Sequence, residues 1–195
     1  MKYTQIPQDT FKHLQLNAGI VTTVFEPSTG EVAASSILGA TSGGVTFEAT
    51  PSYTDFGEDI DNCPANTKEL KRIDSWEAKL SGTLVTFDAT SAVTITGAAD
   101  VSGDKVTPRS ELKASDFKEL WWIGDYSDVN EDGTSKGKAG FIAVHLLNAL
   151  STGGLKIAAT DKAKGTFDFE FTGHYSMDGI DTVPFELYVH AGTEE

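Results

Sequence analysis

The sequence predicts a mainly β protein, a β-sandwich or barrel-like fold with one short flanking helix and a long hairpin loop. Several runs alternate apolar and polar side chains with period two, which marks a half-buried strand. The clearest are residues 45–53 and 165–175. Clusters of Gly, Pro, Asn and Asp separate these runs at short intervals, as in sandwiches and barrels. The 195 residues, 39 % of them apolar, suit one domain with a proper core.

Taken in order, residues 1–13 read as an N-terminal arm, because chain ends are ordered only where something ties them down. Residues 14–25 (LQLNAGIVTTVF) are rich in β-branched side chains and read as a strand, closed by a Pro27-Ser28-Gly30 turn. In residues 45–53, Val45, Phe47, Ala49 and Tyr53 share one face and Thr46, Glu48, Thr50 and Ser52 the other. Residues 73–87 form a second extended run, with Trp76, Ala78 and Leu80 opposite Glu77, Lys79 and Ser81. The two runs make a hairpin, and the polar segment between them (54–71) is its long acidic loop. That loop has little apolar area to offset its ordering entropy, so mobility in the free subunit is expected.

Residues 88–100 (DATSAVTITGAAD) open with a capping pattern and are assigned the short helix, although Val93, Thr94 and Ile95 also suit a strand. Residues 111–119 read as a surface turn or a helical turn, 120–126 (LWWIGDY) as an aromatic strand and 127–138 as a polar loop. Residues 140–149 read as a buried strand, 155–161 as a short strand, and 184–190 (PFELYVH) as the closing strand. The spacing points Phe47, Trp76, Leu80, Phe167, Phe169, Phe171, Phe185 and Leu187 inward.

Charge limits the functions. Twenty-nine acidic against 15 basic residues give a formal charge of −14. Such a surface repels DNA and anionic membranes, so phosphate binding through Lys and Arg is not expected. The N-terminus shows no basic-then-apolar signal segment, and no apolar run nears the ~20 residues of a membrane helix. The single Cys63 has no cysteine partner for a disulfide and no activating neighbour.

No catalytic centre emerges. The four histidines (His13, His145, His174, His190) make no close metal-type pair, and no nucleophile elbow or phosphate loop is present. His145 reads as a packed, hydrogen-bonded histidine. Adjacent Trp121 and Trp122 must point to opposite strand faces, one to the core and the other as an interface or surface ring. Asp128, Asn130 and Asp132 with Gly133 form the front half of a calcium loop, but Ala139 occupies the twelfth position, where a bidentate acid is needed. A solvated turn explains the same residues, so no metal and no cofactor are assigned.

Three stretches carry a resemblance: 74–84 (DSWEAKLSGTL), 120–126 (LWWIGDY) with 140–144 (GFIAV), and 164–175 (KGTFDFEFTGHY) with 184–189 (PFELYV). In this order the chain resembles the major tail (tail-tube) proteins of long-tailed bacteriophages. The resemblance implies a single tail-tube domain over 1–195, in homo-hexameric rings that stack into a hollow tube for genome delivery. It implies a virion tail location after assembly in the host cytoplasm. Its partners would be tape-measure, tail-terminator and distal-tail proteins, with DNA passing through unbound. The hairpin loop would reach the adjacent ring, making Asp55, Phe56, Glu58, Asp59 and Asp61 contact residues. Glu48, Asp168 and Glu170, on polar strand faces, would line the lumen. Contractile tails and tailocins use similar subunits, and the sequence does not separate them. The competing reading is a secreted or surface β-sandwich that binds sugar or calcium; the missing signal segment and unpaired cysteine weigh against it.

Overall fold

A computed structural model describes residues 6–7, 10–126 and 140–191. Ten strands and one α-helix follow one another: β1 (Gln15–Thr22), β2 (Thr41–Asp55), β3 (Lys71–Leu84), α1 (Ala89–Thr96), β4 (Ala99–Ser102), β5 (Lys105–Pro108), β6 (Lys118–Tyr126), β7 (Gly140–Ser151), β8 (Lys156–Ala158), β9 (Thr166–Thr172) and β10 (Phe185–His190). The mainly β fold read from the alternation is the one present, and α1 lies where the capping pattern placed it. Asp88 caps it: its carboxylate accepts the Ser91 N–H, while the Ser91 hydroxyl turns back to the Asp88 N–H. The β4–β5 hairpin is not anticipated by the sequence, because two four-residue strands leave too little alternation to detect.

Eight antiparallel strands form one sheet that bends at β7. The first part of β7 pairs with β6 and β10, and β1 lies beyond β6. The end of β7, Leu150 and Ser151, crosses to pair with Thr172 and Phe171 of β9, which joins β8, β3 and β2. Asn148 sits at φ 47 beside this crossing. Both halves turn apolar side chains onto one core: Val21, Leu120, Leu146 and Ala149 from the first, Leu80, Leu84, Phe169 and Phe171 from the second, closed by Ile95 of α1. Phe47, Phe167 and Phe185 pack at its margin.

The opposite face of the first half carries a second apolar cluster. Phe25 and Val32, from the segment after β1, cover Trp121, Ile123, Phe141, Ala143 and Tyr188. Successive residues of β6 therefore serve different clusters. Trp121 stands in the second, while Trp122 packs on the main core and donates its indole N–H to the Ala18 carbonyl at 2.9 Å. The opposite-face expectation holds, but neither ring is a free surface platform. Gly19 (φ 71) makes the close approach possible, since a Cβ there would overlap the Ile123 carbonyl.

One inward assignment fails. Leu187 is 59 % exposed, because β10 is an edge strand and, among the described residues, nothing packs over its outer portion. Tyr53, on the same face of its run as Val45 and Phe47, is 52 % exposed, because the hairpin outruns the body before reaching it. Alternation fixes a face, and a face is buried only where another layer covers it.

An ionic cluster ties the β4–β5 hairpin to the approach to β6. Asp116 receives the Arg109 guanidinium and, at 2.8 Å, the Lys113 N–H, while Asp100 lies 3.0 Å from both Arg109 Nε and Lys113 Nζ. The Lys113 N–H and then Arg109 hold the Asp116 carboxyl below the ordinary carboxylate range. A depressed carboxyl contributes stability that is complete above the unfolded value of about 3.9 and is lost as pH falls through the folded value. Thermal melts of Asp116→Asn should show a lower melting temperature at neutral pH, and a smaller further fall on acidification than the unchanged protein shows.

Candidate functional site

The face of β2, β3, β9 and β8 turned away from the core is polar along its whole width. Register places Glu48 beside Lys79 and Thr172, Thr46 beside Ser81 and Glu170, and Thr83 beside Asp168 and Lys156. Thr50 lies opposite Glu77. The three residues read as lumen-facing, Glu48, Asp168 and Glu170, thus stand on one continuous surface. Hydroxyls bond two of them: Thr83 donates to Asp168 at 2.9 Å, and Thr152 donates to Glu170 at 3.2 Å and bonds Thr172 at 2.7 Å.

The face is acidic but not uniformly so. Lys156 holds Asp168 at 2.6 Å, and Lys79 holds Glu77 at 2.5 Å. The Lys156 ammonium, helped by Thr83, keeps the Asp168 carboxyl below its usual range. Glu77 raises the Lys79 ammonium above its usual range, with smaller contributions from Glu170 and Glu48. Four carboxylates against two ammonium groups leave this surface with two more acids than bases. Glu77 and Lys79 were visible in the sequence as the polar face of their run. Lys156 was not, because the short strand read at 155–161 carried no signal of its pairing with β9.

The second feature is an arm. β3 pairs with β9 only through Lys79–Leu84, and the Trp76 N–H is met by the Tyr175 hydroxyl at 2.8 Å. Beyond Trp76 the β2–β3 hairpin projects without a third strand among the described residues, roughly 17 Å at the rise of a strand, before its loop begins. A register shift between Ser52 and Tyr53 sets Tyr53 opposite Ile73, and both are exposed.

The loop 56–70 is a series of turns laced by its own hydrogen bonds. Asp55 accepts the N–H groups of Gly57 (2.9 Å) and Asn66 (2.7 Å), while the Phe56 N–H reaches the Leu70 carbonyl at 3.2 Å. Cys63 is half-buried beside Thr67, at 3.5 Å. Asp55, expected as a contact residue, therefore turns its carboxylate into the loop. Phe56, Glu58, Asp59 and Asp61 are exposed, as is Ile60, which the sequence reading passed over.

The Gly57 and Asn66 N–H groups lower the Asp55 carboxyl pKa. The order Asp55 imposes is therefore present above the ordinary carboxylate range and is lost as pH falls through the depressed value. Asp55→Ala should speed proteolytic cleavage within 56–70 at neutral pH and leave the melting temperature of the body unchanged. Limited proteolysis with mass mapping reads this directly.

His145 is packed as expected. It stacks on Trp121 (ring centres 3.8 Å apart, 6° between planes), with Nδ1 3.4 Å from Glu186. Its Nε2 is 2.8 Å from Glu119, off the line of a hydrogen bond. The calcium candidates Asp128, Asn130 and Asp132 lie outside the described residues, as does most of the 1–13 arm. Among the described residues no group of three His, Cys, Asp or Glu could hold a metal ion, and no helix is long and apolar enough to cross a membrane.

No family model matches the chain, and no curated protein matches it. Among solved structures, the chain is similar to one in a structure described as the virion of a native gene transfer agent particle. The TM-score is 0.42 and the identity 10 %, over 89 % of this chain and 96 % of that one. A likeness of that degree carries no weight for function.

Proposed function

We propose that this protein is a non-enzymatic structural subunit of a phage-type tail tube, assembling into stacked rings whose channel passes DNA. The observation that carries the reading is the unbroken polar face of β2, β3, β9 and β8, backed by a packed core and lined with hydroxyls and an excess of carboxylates. A wet, net-negative wall repels phosphate and lets a polyanion slide, whereas a basic wall would hold it. The sequence resemblance points to the same role. The projecting arm, with exposed Tyr53, Phe56, Ile60 and Ile73, gives each subunit a means of reaching beyond its own body.

The test is negative-stain electron microscopy of the concentrated protein. Rings or hollow tubes are expected. Discrete monomers with measurable sugar or calcium affinity would favour the surface-module reading instead.

A further inference from the structure

The outer cluster of the first half packs a histidine between two acids. His145 stands near the centre of β7, across from Trp121 of β6 on one side and Glu186 of β10 on the other. Its side chain is 14 % exposed, and the Trp121 indole lies flat against it. Both ring nitrogens face carboxylates: Nε2 is 2.8 Å from Glu119, and Nδ1 is 3.4 Å from Glu186. Glu119 also accepts the Asn148 N–H at 3.4 Å, at the bend of β7, and Glu186 accepts the Tyr188 hydroxyl at 2.6 Å. Tyr188 leans on Trp121, Glu26 from the turn after β1 bears on Tyr188, and His190 stacks on Phe141 further along β10. Among the described residues no Lys or Arg lies within ion-pair distance of Glu119 or Glu186.

A neutral imidazole cannot satisfy this site. It carries one N–H and one lone pair, whereas a carboxylate only accepts. Whichever nitrogen keeps the proton, the other turns its lone pair on an oxygen. The imidazolium has a donor on both nitrogens and meets a negative charge on each side. Its charge also lies against the indole face, where cations are favoured. A metal ion does not suit the place, because the two carboxylates flank opposite nitrogens and converge on no common point. The Tyr188 hydroxyl, and after it His145, hold the Glu186 carboxyl below its ordinary range against the opposing effect of burial.

We infer that protonated His145 is a latch that holds the edge strand β10 and the β7 bend to β6, and that loss of its proton frees β10. Little else holds this strand. Beyond its pairing with β7, Phe185 packs at the core margin while Leu187 and Val189 are exposed, so Glu186 and Tyr188 supply the remaining contacts. Glu186 stands farther from the ring than Glu119 and keeps the Tyr188 hydroxyl, so it is the partner that lets go. Only the charged ring gains both partners. The contribution is therefore complete at low pH and is lost as pH rises through the imidazole titration. Histidine is the side chain that ordinarily changes charge between about pH 5 and 8. The latch belongs to the single subunit and stands apart from the tube reading.

Amide hydrogen exchange of the dilute protein between about pH 5 and 8, corrected for the intrinsic pH dependence of exchange, tests the latch. Protection of residues 185–190 should fall roughly tenfold as the ring deprotonates, the scale of one hydrogen bond to a charged group, while β3 and β9 keep theirs. Tryptophan emission should follow the same curve, because the charge sits 3.8 Å from the Trp121 ring. His145→Gln should remove the step from both records and leave β10 loose at every pH. Glu186→Gln should remove the exchange step and keep the emission step, since the ring still titrates against Glu119. If His145→Gln does not fold, the unchanged protein and Glu186→Gln decide between them. Protection that follows the intrinsic dependence throughout, or an exchange step that survives Glu186→Gln, would overturn the latch. A step that survives His145→Gln would overturn it too and assign the titration to His190.

Discussion

Phe169→Ala is expected to cost about 3–5 kcal/mol of folding stability, the range for deleting a buried aromatic ring. Phe169 is 3 % exposed, stacks obliquely on Phe171 at 5.6 Å, and fills the space above Gly82 on the neighbouring strand. A Cβ at Gly82 would come within 2.8 Å of the ring, so the site has no slack to absorb a smaller or larger group. Urea denaturation of the monomer measures the loss. The control is Leu187→Ser: the same period-two logic assigns Leu187 inward, but its exposure makes the substitution nearly neutral in the monomer. Equal losses at the two positions would mean that the core has been placed wrongly.

Glu48→Lys with Glu170→Lys should have the largest effect on DNA passage. The pair changes the polar face from two surplus acids to two surplus bases per subunit. Repeated around a ring, these would contact phosphates and release counterions, so DNA exit should slow about tenfold or more at low salt and recover as salt rises. Both side chains stand on the solvent side of their strands, so the monomer should melt as before. Ejection assays on particles assembled from the variant, run across a salt series, provide the check. Unchanged exit would place these carboxylates on the outside of the assembly. Glu170 is chosen over Asp168 because Lys156 already holds Asp168, whereas among the described residues Glu170 is met by the Thr152 hydroxyl alone.

Period two made the long strands legible. Phe167, Phe169 and Phe171 against Asp168, Glu170 and Thr172 located β9 and both its faces without any structure. The same rule placed Glu48, Asp168 and Glu170 on polar faces, and register put those faces side by side. What period two could not supply was depth. Leu187 and Tyr53 have inward parity and are open, one on an edge strand and one on an arm that leaves the body. Nor does alternation reveal non-local partners, so the pairing of Lys156 with Asp168 went unseen. The acidic loop read as mobile in the free subunit because its composition is polar. An Asp followed two residues later by Gly at a strand end is, however, a local turn signal, and Asp55 uses it to cap the loop from within. The Trp121–Trp122 pair was assigned one core ring and one interface or surface ring, and the structure has a second apolar cluster that covers the outer one.

The measurement that bears most directly on the central claim is a cryo-electron-microscopy reconstruction of the protein assembled at high concentration. The expected result is a hollow tube whose inner wall is the polar face, with Glu48, Asp168 and Glu170 pointing into the channel and the main core behind them. A tube with that face turned outward, or a sample that holds only discrete monomers, would contradict it.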